Sequence, residues 1–166
     1  MSTNIAELFK TLSSGVYVVG VAHGGKKNAF TAAWISQVSY IPLLVSLSVN
    51  REHASWPLLR DSKCFSINVL GKAQLRLARH FGTQSGRDLD KLAGMQWQTA
   101  ATGAPILTDA LAYFDCQVTD TYSPGDHHLV IGRVMNGAIL EPKAIPMLYE
   151  DSVGIDQSES LYPDHF

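Results

Sequence analysis

Between Gly15 and Leu140 the chain returns again and again to one pattern, short runs of β-branched and aromatic residues closed by turn formers. The runs are VYVVGVA, AAWISQVSY, LLVSLSV, CFSINVL, AYFDCQVTDTY and HLVIGRVMNGAIL. Such residues suit pleated, half-buried backbone, so six strands are expected. Helical spacing is confined to three places. Ser2, Thr3 or Asn4 can cap a short helix carrying Ile5, Leu8, Phe9 and Leu12, with Gly15 as its stop. HASWPLLRD is held to little more than a turn by Pro57, and KAQLRLARHF sets Leu75, Ala78 and Phe81 on one face. Helices this few cannot supply the crossovers of a parallel sheet. The pattern therefore predicts an all-β antiparallel barrel or sandwich with a few accessory helices.

A chain of 166 residues with 46% hydrophobic content builds one ordinary core. One domain over residues 1–166 is expected, with 150–166 as a C-terminal tail. The formal charge is -2 and no basic block exceeds Lys26-Lys27, which argues against a nucleic-acid surface. Cys64 and Cys116 sit apart in apolar stretches without CxxC pairing, and buried free thiols are expected. The first fifteen residues lack the basic and apolar regions of a secretory signal, and no run reaches membrane-spanning length. A cytoplasmic location with no membrane partner is the corresponding expectation.

Several stretches invite chemical readings. GVAHGGKK has the spacing of a phosphate loop but places Lys27 where Ser or Thr is needed and continues into a strand. Gly24-Gly25 fits a hairpin turn better. In SPGDHHLVIGRV, adjacent strand residues point to opposite faces, so His127 and His128 cannot readily share a metal ion. No metal site is expected. Asp126 and His127 stay open between a polar turn rim and a catalytic pair. LSSGVY lacks the strand-turn-helix context of a serine nucleophile.

TAAWISQVSYIP is richer. Ala32 and Ala33 leave the backbone bare for a flat ligand, Ser36 and Ser39 offer hydroxyls, and a tight strand crossing would also explain the small residues. SVNREHASW brings Asn50, Arg51, His53 and Ser55 to the start of a helix, and Arg51 and Ser55 with helix-terminal N–H groups suit a mononucleotide phosphate. ARHF adds Arg79 and His80.

In the order GVYVVGV, TAAWISQVSYIPLLVSLSVN, FSINVL, LARHF, GAPILTDALAYFDCQV and GDHHLVIGRV, the chain resembles the flavin reductase-like family of FMN-binding split barrels. Within that family it is most similar to flavoredoxin-like proteins and to the flavin reductase domains of flavodiiron proteins. The resemblance implies a homodimer of six-stranded Greek-key barrels with FMN near the subunit interface. It implies hydride transfer from NADH or NADPH to the flavin, or, alternatively, an FMN electron carrier that serves a redox partner protein. Carried onto this sequence, it lays Thr31, Ala32, Ala33 and Trp34 along the isoalloxazine ring. It gathers Asn50, Arg51, Ser55, Arg79 and His80 around the phosphate. His127 would place the nicotinamide, with Asp126 orienting it. Trp34 and Arg133 depart from the common pattern of the free reductases.

Overall fold

The computed structural model describes residues 4–152 and 154–166. Nine strands and three α-helices follow in the order α1 (Ile5–Lys10), β1 (Tyr17–His23), β2 (Lys26–Ala32), β3 (Ile35–Ser39), β4 (Leu44–Asn50), α2 (Trp56–Ser62), β5 (Cys64–Val69), α3 (Leu75–Thr83), β6 (Trp97–Gln98), β7 (Ile106–Leu107), β8 (Ala112–Tyr122) and β9 (His127–Ile139). Seven strands form one antiparallel sheet in the order β2-β1-β5-β8-β9-β4-β3, and β6 pairs with β7 separately. The six expected strands become seven in the main sheet, because β2 is built mostly from residues 26–31, which lie outside those runs, and AAWISQVSY forms β3. Its first residue, Ala32, ends β2, and Ala33 and Trp34 lie between the two strands.

That division decides the architecture. β2 and β3 are the two edges of the sheet, yet only Ala33 and Trp34 join them. Seven flat strands spread over roughly 29 Å between edge axes. Three Cα steps from Ala32 to Ile35 span at most about 11 Å. The sheet must curl until its edges meet, giving a barrel split along the seam between β2 and β3. Gly24 and Gly25, both with positive φ, close the β1–β2 hairpin at His23 and Lys26, as the sequence suggests.

β1 is buried on both faces, which explains its unbroken apolar run. Val19 and Val21 join Phe30, Leu47, Phe65, Ile67 and Val130 inside the barrel. Val16 and Val18 join Ala78, Phe81, Leu92 and Met147 in a second core beneath α3. Full burial of a side chain such as Phe65 contributes roughly 2–3 kcal/mol. β5 carries Phe65 and Ile67 inward, while Ser66 and Asn68 face outward and are equally buried. They are satisfied by the segment that covers them. Ser66 Oγ donates to the Pro105 carbonyl, Asn68 Nδ2 donates to the Val18 carbonyl at 2.9 Å, and the Leu107 N–H donates to Asn68 Oδ1 at 2.8 Å. Asp115, opposite Ser66, accepts the N–H of Thr102 at 2.9 Å and its hydroxyl.

The helices differ in detail from expectation. Asn4 caps α1 by accepting the Glu7 N–H at 3.2 Å, while Ser2 and Thr3 lie outside the described residues. The helix stops at Lys10, well before Gly15, because the Thr11 N–H and hydroxyl both fold back onto the Leu8 carbonyl. It buries Ile5 and Ala6, whereas Leu8, Phe9 and Leu12 stay exposed. Pro57 falls in the first turn of α2, where its missing N–H costs nothing, so that helix runs through Ser62. Cys116 is buried as expected, but Cys64, at the start of β5, is only half-buried. Beyond β9 the chain folds back, and Ile155 packs against the core beneath α3. Among the described residues no helix is long and apolar enough to cross a membrane.

Candidate functional site

Where the chain passes from one sheet edge to the other, the seam carries Thr31, Ala32, Ala33 and Trp34. Thr31 donates its hydroxyl to the Ala78 carbonyl at 2.6 Å, tying the end of β2 to α3. Ala32 and Ala33 are half-buried, and the Trp34 carbonyl accepts the Ser48 N–H at 3.0 Å. As an edge strand, β2 carries backbone N–H and C=O groups on its outer side without a ladder partner. Short side chains and free backbone groups make a surface for a flat ring that bears its own donors and acceptors.

Trp34 is 56% exposed, and its ring stands 5.0 Å from that of His127, tilted by 43°. His127 opens β9 opposite Asn50. Its Nδ1 lies 2.7 Å from Asp126 Oδ1, and since a carboxylate only accepts, Nδ1 carries the proton. The neutral ring then offers Nε2 as an acceptor. The hydrogen bond from His127 holds the Asp126 carboxyl below its ordinary range. Gly125, with a φ of 59°, makes the turn that brings the pair here. Arg51, just beyond β4, secures that turn, its Nη2 donating to the Ser123 carbonyl at 3.2 Å. Asn50 Oδ1 accepts the Glu52 N–H at 2.8 Å. His128 leaves in the other direction, stacked 3.8 Å from Trp56 and 3.0 Å from Ser123 Oγ.

A second group sits deeper. The His53 ring lies 4.4 Å from that of Phe30, and its Nδ1 accepts the Ser55 N–H at 3.1 Å, which leaves the neutral ring's proton on Nε2. Ser55 is fully buried, and its Oγ accepts from Asn28 Nδ2 at 2.9 Å, which leaves the hydroxyl its own proton to donate. His80 Nε2 donates to the Lys91 carbonyl at 2.8 Å. Arg79 is exposed on α3. Ser36 and Ser39 lie further along β3, where Ser36 accepts from Ser46 through its carbonyl at 3.4 Å. Neither serine is joined to Trp34 or His127 by a hydrogen bond among the described residues.

Sequence reasoning missed Lys91. It follows the turn-rich stretch SGRDLD and reads as a surface lysine, yet it is only 2% exposed. Its Nζ donates to the Phe81 carbonyl at 3.0 Å. The alternation Lys91-Leu92 before a glycine carries no signal of burial, since only the packing of the loop under α3 encloses it. On its solvent side the same loop borders a cavity of about 580 Å³ lined by Lys26, Lys27 and Arg87 together with Asp88 and Asp90.

Burial, with the charges of Lys91 and Arg87 adding to it, pushes His53 from 6.5 down to about 4. The unfolded chain binds a proton below its ordinary value, while the folded protein refuses it until about pH 4. Stability is therefore lost as pH falls from 6.5 towards 4. The contribution approaches about 1.4 kcal/mol per pH unit. Urea midpoints of the ligand-free protein at about pH 5 and about pH 7 should differ more in the parent chain than in His53→Gln. An equal difference in both would assign the loss to other groups.

Fold and seam together define a split β-barrel whose open edge carries Trp34 and His127 side by side. The chain belongs to the flavin reductase like domain family, which matches residues 9–153. It is 30% identical over 155 residues to "Diflavin flavoprotein A 1" of Synechocystis sp., covering 93% of this chain and 27% of that protein. The chain thus spans about a quarter of the length of that curated relative. Among solved structures, the NADH:FAD oxidoreductase of Streptomyces globisporus C-1027 superposes with a TM-score of 0.82 at 28% identity, over 89% of this chain and 88% of the other. An FMN-binding protein from Thermus thermophilus gives 0.74 at 28% identity, over 79% and 73%.

Proposed function

We propose that the protein is an FMN-binding oxidoreductase that accepts hydride from NADH or NADPH. The observation that carries this reading is the seam, where a bare edge strand, two rings and several cationic groups fit a flat, electron-poor ring bearing a phosphate tail. Bound FMN would supply the hydride acceptor. The chain's own part is to hold and orient. Thr31, Ala32 and Ala33 present backbone to the ring, and Asn50 and Arg51 stand at its rim. His127, fixed by Asp126, turns Nε2 towards the approach of the nicotinamide, where an acceptor can take a carboxamide N–H. Hydride transfer needs alignment and exclusion of water more than a proton relay, and Trp34 helps to shield the approach. The same reading takes a second copy of the chain as partner, and the exposed Val38, Tyr40, Ile41 and Leu43 offer it an apolar face.

The contact between Trp34 and His127 also favours a second reading, an FMN electron carrier whose nicotinamide approach is closed and which serves a redox partner protein. Anaerobic mixing of the FMN-loaded protein with NADH and then NADPH separates the two. Rapid bleaching of the flavin band by either nucleotide is the expected result. Bleaching by dithionite alone would reject the reductase in favour of the carrier.

A further inference from the structure

The last stretch of the chain is tied down on both sides of one apolar residue, Ile155. Ahead of it, the Ser152 hydroxyl donates to the Tyr149 carbonyl at 2.7 Å, and the Ile155 N–H donates to the Ser152 carbonyl at 3.2 Å. Beyond it, the Tyr149 hydroxyl lies 3.2 Å from Asp156 Oδ2 and 3.0 Å from Ser158 Oγ. Lys10 of α1 pairs with Glu159, and the rings of Phe9 and Tyr162 stand 5.4 Å apart. Between these ties the stretch and α1 border a cavity of about 400 Å³ lined by Leu12, Ser14, Tyr149 and Gln157. The stretch spans that cavity as a strap, and Ile155 is the residue it sends against the core beneath α3.

Ile155 reaches the seam through a glycine. Gly82 stands on the last turn of α3, where an added Cβ would come within 3.3 Å of both Ile155 Cγ2 and Thr31 Cβ. Strap and edge strand thus meet across Gly82, leaving less room than a methyl group needs. Thr31 is also drawn to α3 by its hydroxyl, which donates to the Ala78 carbonyl at 2.6 Å. On its outer side β2 has no ladder partner, so side-chain contacts such as these fix where it stands. Ala32 and Ala33 follow directly along the same edge, and their bare backbone moves with Thr31. A β-branched side chain, stiff at χ1, suits a spacer at this point.

We propose that Ile155 is a positioning residue for the seam: its Cγ2 methyl, held by the strap, sets across Gly82 how close Thr31 stands to α3, and so shapes the backbone surface that takes the flavin ring. This rests on the flavin reading of the seam. The competing role for Ile155 is structural alone, an apolar side chain that covers the core beneath α3 and leaves the seam untouched.

Two methyl groups test the spacing, read by fluorescence titration of the flavin-free protein with FMN and riboflavin. Alanine is the better helix former, so in Gly82→Ala the crowded methyl is the only disturbance. With the strap held, Thr31 must yield, and Gly82→Ala should weaken both flavins by about threefold to tenfold. Ile155→Ala removes the spacer and should weaken both by a similar factor, whereas Ile155→Val, which keeps Cγ2, should match the parent. The double variant exchanges one methyl for the other and should return both affinities to within about twofold of the parent. Unchanged affinity in Gly82→Ala, or losses that add in the double variant, overturns the positioning role and leaves the structural one. If the parent binds neither flavin, the flavin reading fails, and amide exchange of the ligand-free protein over residues 29–34 decides the strap. Faster exchange in each single variant with parent-like exchange in the double supports it, and unchanged or additive exchange overturns it.

Discussion

Replacing His127 with alanine should slow bleaching of bound flavin by NADH or NADPH on the order of tenfold to a hundredfold, with FMN affinity unchanged within about twofold. The ring is fixed on two sides, by Asp126 at 2.7 Å and by Trp34 at 5.0 Å. A side chain so restrained can align an incoming carboxamide, and alignment is the main demand of hydride transfer. It touches none of the cationic groups assigned to the phosphate, so FMN should remain bound. Stopped-flow bleaching and fluorescence titration on one preparation give both quantities. Parallel loss of affinity and rate would move His127 into the flavin-binding surface and leave the nicotinamide approach to Trp34.

Asp115→Ala should destabilise the fold by about 3 kcal/mol, lowering the melting temperature on the order of 10 °C. The carboxyl is fully buried and accepts both the N–H and the hydroxyl of Thr102. Its removal leaves those donors without partners and loosens the segment that Ser66 and Asn68 hold through Pro105 and Leu107. Thermal unfolding of the ligand-free chain measures the change. A loss below about 1 kcal/mol would mean that the segment keeps its place without Asp115.

Much of the barrel was legible in sequence. The apolar runs, the Gly24-Gly25 hairpin and the opposite facing of His127 and His128 all follow from side-chain periodicity and turn chemistry. The division of AAWISQVSY was not legible, because Ala33 and Trp34 break a ladder only once β2 and β3 have different neighbours. Ser55 shows the same limit. At a helix start its hydroxyl reads as a phosphate ligand, and nothing near it in sequence announces that its buried oxygen accepts from Asn28, 27 positions earlier. Lys91 shows it most sharply, since charge predicts exposure and only the enclosure beneath α3 contradicts it.

By itself the sequence determined the all-β class, the hairpins and the placing of Asp126 and His127 at the mouth of a strand. These depend on local dihedral preference and on alternation along one strand, which neighbouring residues carry. The seam, the pairing of His127 with Trp34 and the burial of Lys91 beneath α3 were decided by the tertiary structure alone. Each brings together residues far apart in sequence, and their contact depends on how a curled sheet closes, a geometry that no short window of the chain contains.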